Sequence, residues 1–139
     1  MRKLDRATQY ALLIGLLVIL IRILFISYTM LVDDEAYYAI YARHLAWGYV
    51  DHGPVIAYLI KFFTLIWENS FTVRLGATTL MTILTIVLYH FGEKYFNAQV
   101  GIILSLSITA NMLFHTNAIV ITPDVPMTFF TILAIMYYY

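Results

Sequence analysis

One predominantly apolar run, residues 7–32, carries a single charged residue, Arg22. As a helix it is about 39 Å long, more than the roughly 30 Å of hydrocarbon in a bilayer. A secretory leader has an apolar region of only about 7–15 residues, closed by a small-x-small cleavage site. This run is longer and has no such site. It predicts a retained first membrane span. Arg22 falls in the second half, where it can reach the far interface or pair inside a bundle. Composition agrees: 63% of the 139 residues are hydrophobic and 12% charged, about half the charged share of a soluble domain. A short chain cannot hide that excess in a core of its own, whereas lipid can. The net charge of zero argues against a nucleic-acid partner. With no cysteine, disulfides and thiolate metal sites are excluded.

Further spans are expected over about 71–89 and 100–121, with a fourth apolar run over 127–139. A polar turn at 90–99 separates the second from the third. The fourth run gives only about 20 Å of helix, too little to cross. The expectation is therefore the front portion of a longer protein. No internal repeat, low-complexity tract or linker is visible. Residues 33–70 form the first long loop and carry two amphipathic pieces, 36–47 and 55–67. Each is too short to span and rich in the Tyr and Trp that favour the headgroup zone, so both are expected to lie along the membrane surface.

Arg2, Lys3 and Arg6 in the tail and Lys94 in the turn are basic, whereas the long loop sets Asp33, Asp34, Glu35, Asp51 and Glu68 against Arg43 and Lys61. The positive-inside rule then puts the tail and the 90–99 turn in the cytoplasm. The long loop and the turn ITPDVP (121–126) emerge together on the outer side, so Asp34 and Asp124 can share one site.

Carboxylates where an apolar helix leaves the bilayer are costly and often functional. Asp33 or Asp34 would also serve as the N-cap of a surface helix, with Glu35 at its positive end, and caps outnumber catalytic acids. Asp51 and His52 in DHGP are a weak metal pair, or an anion contact through protonated His52, but Asp, Gly and Pro are ordinary turn residues and the turn is preferred. In TPDVP, Thr122 would cap the next helix, Pro123 would start it, and Asp124 would sit against the dipole. Arg22, Arg43, Lys61 and Arg74 could neutralise acids or clamp a phosphate; lipid headgroup contact is preferred for Lys61. Asn111, His115 and Asn117 suit hydrogen bonding between helices.

These pieces form an ordered pattern: DDEAYY after the first span, HLAWGYVDHGPVIAYLI in the loop, VRL opening the second span and ITPDVPMTFF opening the fourth. The pattern, from about Arg22 to Phe130, resembles the start of the bacterial protein-mannosyltransferase-like branch of GT-C membrane glycosyltransferases. That branch includes aminoarabinose lipid A transferases and dolichyl-phosphate-mannose protein mannosyltransferases. The resemblance implies an all-α polytopic bundle of GT-C type, truncated here, in a bacterial inner membrane with the site facing outward. It implies Asp34 as catalytic base with Glu35 beside it, and Asp124 in the same site. Arg43, Asp51, His52 and Arg74 become substrate-binding candidates, and Asp51 and His52 the only candidates for a divalent metal. Gly53 stands where the family usually has proline, which loosens the turn.

The activity implied is sugar transfer from a polyprenyl-phosphate donor to a lipid, glycan or protein acceptor at the membrane surface. Asp34 would take the acceptor proton, kept ionised by Arg43 or Arg74. The piece alone is expected to be inactive. The alternatives are a non-catalytic small membrane subunit or transporter component, using Asp34, Asp124 and Arg22 as bundle contacts or an ion path, and a lipid binder without transfer.

Overall fold

A computed structural model describes residues 6–139, with side chains from Thr8 onward. Arg2 and Lys3, on which the orientation leans, lie outside the described residues. Among the described residues there are seven helices and no strand: α1 (Arg6–Tyr28), α2 (Asp33–Arg43), α3 (Val55–Thr64), α4 (Ser70–Tyr95), α5 (Ala98–Ala110), α6 (Met112–Asn117) and α7 (Asp124–Tyr138). Two of them, α1 and α4, are long and apolar enough to cross a membrane.

α1 stops at Tyr28, where the Ser27 and Thr29 hydroxyls donate back to the carbonyls of Ile23 and Phe25 at 2.7 and 2.8 Å. Residues up to 32 are therefore not helical, because these hydroxyls offer the backbone an alternative to the next turn. α4 begins at a reciprocal cap: Asn69 Oδ1 accepts from the Thr72 N–H at 2.8 Å, and Thr72 Oγ1 accepts from the Asn69 N–H at 3.1 Å. It continues to Tyr95, so most of the expected 90–99 turn is helix and the reversal is confined to Phe96 and Asn97. The polar side chains there sit on a helix surface, which their polarity alone did not reveal.

The 100–121 stretch also differs from a single helix. α5 ends at Ala110, and Asn111 caps α6 by accepting from the Leu113 N–H at 3.0 Å. A side-chain acceptor that competes with the backbone ladder accounts for the break.

α4 is the central element and packs against α1, α3, α5, α6 and α7. Its buried stripe of Val73, Ala77, Met81, Leu84 and Leu88 meets Ile108, Ile121, Val125 and Phe129. This is helical spacing on one face. The α4–α5 hairpin closes on two glycines: a Cβ at Gly92 would stand 2.6 Å from the Gly101 Cα. Only hydrogen allows that approach, as in small-residue contacts between membrane helices. α7 runs alongside α4, and the Tyr139 ring just beyond it reaches Phe91 and Tyr95 in the last turns of α4 and Phe96 just past them. α1 is the least covered, with Leu12, Leu13, Leu16 and Leu17 all more than half exposed.

Candidate active site

Four chain segments converge at the end of the bundle where α1 ends and α4 begins. α2 starts there after extended Val32, whose N–H donates to Glu35 Oε2 at 3.0 Å. Neither Asp33 nor Asp34 is the cap. The third-position acid closes the helix start instead, leaving both aspartates exposed in the first turn.

Glu35 is fully buried and forms an ion pair with Arg74, itself 2% exposed, at 2.5 Å. Its Oε1 accepts from Arg74 Nε at 2.8 Å and from the Ile121 N–H at 2.9 Å. Arg74 spends its other donors on Thr29 Oγ1, Thr29 O and Met30 O. Thus one carboxylate ties α2 to α4 and to the TPD turn, while the same guanidinium holds the end of α1. Buried charges are tolerated only when paired and saturated with hydrogen bonds, and this pair meets that condition. Thr78 Oγ1 adds a bond to the Ala118 carbonyl at 2.7 Å, which fixes the approach to the turn.

Arg74 is therefore committed to Glu35 and Arg43 to Glu68, its Nε 2.7 Å from Oε1 on an exposed surface. Neither forms an ion pair with Asp34. Arg43 also lies about 13 Å from Asp34 along the helix. Thr122 is not the cap of α7; that position is Pro123, and Thr122 Oγ1 is buried without a hydrogen-bond partner. Asp124 is exposed in the first turn of α7.

The buried tyrosine of α2 is Tyr38. It is one turn beyond Asp34, and its hydroxyl lies 3.2 Å from His52 Nε2. Its pKa is raised, first by burial and then by the charges of Asp34 and Asp124, with Tyr41 and Asp51 adding to them. The phenol therefore stays protonated at neutral pH, within electrostatic reach of all three aspartates. Alongside it, Tyr37 donates to Asp51 Oδ2 at 2.7 Å, and Tyr41 donates to Tyr37. The Tyr37 pKa is raised by those two hydrogen bonds, the one from Tyr41 being the larger cause. Tyr41 and Tyr49 stack at 3.8 Å with planes 9° apart.

Asp51 and His52 thus face different tyrosines. Among the described residues no group of three or more His, Cys, Asp or Glu is disposed to hold a metal. Asp51 and His52 are held by Tyr37 and Tyr38, and Asp34 and Asp124 stand in the first turns of the two segments that Glu35 joins; Arg43 is paired elsewhere, and Glu35 and Arg74 are buried rather than at the surface. The tyrosines were missed by the sequence reading. Their signal was the i, i+4 spacing of Asp34 and Tyr38, combined with the buried stripe Glu35, Tyr38 and Ala42.

Residues 51–139 match the family described as dolichyl-phosphate-mannose-protein mannosyltransferase. The match takes in Asp51, His52, Arg74 and Asp124 and begins beyond Asp34 and Glu35. No curated protein and no solved structure matches the chain.

Proposed function

Since the chain belongs to the dolichyl-phosphate-mannose-protein mannosyltransferase family of membrane glycosyltransferases, we propose that it forms the front part of a GT-C transferase. That enzyme moves a sugar from a polyprenyl-phosphate donor to an acceptor hydroxyl on the extracytoplasmic side. The described chain is the N-terminal part of one transmembrane domain: α1 and α4 cross the bilayer, α5 with α6 and then α7 are shorter apolar segments packed beside α4, and α2 and α3 lie at the outer surface. Exposed Trp47, Ile66 and Trp67 support that surface position, since such side chains favour the interface.

The observation that carries the proposal is the buried Glu35 carboxylate, whose bonds to Arg74 and to the Ile121 N–H hold the segment of Asp34 beside the segment of Asp124. Asp34 is the base. As the acceptor oxygen attacks the anomeric carbon, its proton passes to the Asp34 carboxylate, and the bond from that carbon to the phosphate oxygen breaks, releasing polyprenyl phosphate. Asp124 and Asp51 accept hydrogen bonds from sugar or acceptor hydroxyls, and neutral Tyr38 orients them. Glu35 and Arg74 are positioning residues, since neither reaches the surface of the site. The developing phosphate charge requires a cation, and we assign none from these residues.

The test is sugar transfer by the intact protein with a polyprenyl-phosphate sugar donor. Asp34→Asn should lower transfer by about 10²–10⁴ while leaving membrane insertion and donor binding intact. Transfer at the original rate would refute the assignment.

A further inference from the structure

A cavity of about 470 Å³ lies between α1, α4 and α5, away from the aspartates. It follows α1 from Thr8 to Arg22, about 21 Å of helix. That volume is within the range of ligand sites and far beyond one water's share of about 30 Å³. Its walls are mainly apolar, including Leu12, Leu16, Ile19, Ile86 and Leu106.

Two polar atoms in this lining are enclosed and unbonded: Nε of Arg22 and Oγ1 of Thr82, from different helices. Arg22 is 2% exposed, and its one hydrogen bond, from Nη2 to His115 Nδ1 at 3.3 Å, leaves Nε unused. No described carboxylate forms an ion pair with it. The neighbouring hydroxyls of Thr85, Ser105 and Thr109 are spent on carbonyls of their own helices. The lining therefore sets two unused donors beside a cation without a counter-charge at the Arg22 end, apolar walls along the middle, and Thr8, Tyr89, His90 and Glu93 at the opposite end. A buried cation of this kind calls for an anionic acceptor.

We propose that this cavity binds one acyl chain of an anionic phospholipid, whose acidic head-group oxygens accept from Arg22 Nε and Thr82 Oγ1. The proposal rests on α1 and α4 crossing the bilayer, as in the function proposed above, but not on sugar transfer. The slot is not fully enclosed, so a chain can enter from the surrounding lipid, and the charge of Arg22 selects the headgroup.

Photolabelling of the full-length protein tests it. Vesicles of phosphatidylcholine would contain phosphatidylglycerol with a diazirine near the end of one acyl chain, and no sugar donor. Crosslinks are expected in 8–15 and 86–93, at the end of the slot opposite Arg22 and Thr82. Phosphatidylcholine with the same labelled chain should label these segments about tenfold less, and Arg22→Met should reduce phosphatidylglycerol labelling by a similar factor. Gly15 lines the slot with nothing within 4 Å of an added Cβ, so Gly15→Leu should fill it and block labelling while Arg22 stays intact. Equal labelling by the neutral lipid, crosslinks confined to other segments, or undiminished labelling of Gly15→Leu would overturn the proposal. Since no donor is present, that failure is distinct from a failure of transfer.

Discussion

Glu35 and Arg74, 39 residues apart in the chain, form a buried pair in which one carboxylate oxygen also holds the Ile121 N–H. The pair fixes the starts of α2 and α7 side by side, so the geometry of the exposed aspartates depends on a carboxylate that is itself buried. Glu35→Gln keeps the shape but leaves Arg74 without its counter-ion. The expected loss is about 3–5 kcal/mol, the usual cost of stranding one partner of a buried pair. Thermal unfolding of the full protein in detergent checks this, and Asp34→Asn in the same assay should unfold as the parent does.

Activity should separate the acids the other way. Asp34→Asn in a folded protein should lower transfer by about 10²–10⁴, the range for removing a general base. Asp124→Asn should act mainly on acceptor or donor affinity, read as a raised KM. Steady-state kinetics with the lipid-linked donor distinguishes the two.

The raised pKa of Tyr38 gives a pH prediction. A phenol whose folded pKa exceeds its ordinary value of about 10 stabilises the fold below that pH and loses the contribution as pH rises through the folded value. Carbon-13 tyrosine spectra should show Tyr38 titrating above free tyrosine. Asp34→Asn and Asp124→Asn should each move it back down, because each removes one of the charges that raise it. A titration unmoved by either substitution would place the aspartates elsewhere.

The glycine contact between α4 and α5 should tolerate nothing larger. A Cβ at Gly101 would meet the Tyr89 carbonyl oxygen at 2.5 Å. Gly101→Val should therefore cost about 1–3 kcal/mol or more by overpacking. Gly15→Ala, in open space, should leave the melting temperature unchanged or raised.

Much of this organisation was legible because lipid imposes a strong rule: long apolar runs become helices, and the runs at α1 and α4 needed no tertiary information. The convergence of 33–70 with 121–126 could be anticipated from alternating direction. The partners of the arginines could not. Glu35 and Asp34 are chemically similar neighbours, and only the packed stripe of α2 decides that Glu35 turns inward to Arg74 while Asp34 faces out. The break at Asn111 was equally hidden, since a side-chain acceptor within an apolar stretch can face solvent or cap a new helix. Tyrosines in this stretch fit a membrane interface equally well, and only the folded chain buries Tyr38 with its hydroxyl 3.2 Å from His52 Nε2.

Everything depends on residues 34 and 124 opening onto one face of the membrane. The chain has no cysteine, so Asp34→Cys, Asp124→Cys and Lys94→Cys can be introduced singly and probed in sealed cells with a membrane-impermeant maleimide. Immediate labelling at 34 and 124, with 94 reacting only after permeabilisation, is the predicted result. Labelling of 34 from one side and 124 from the other would contradict a shared centre for sugar transfer.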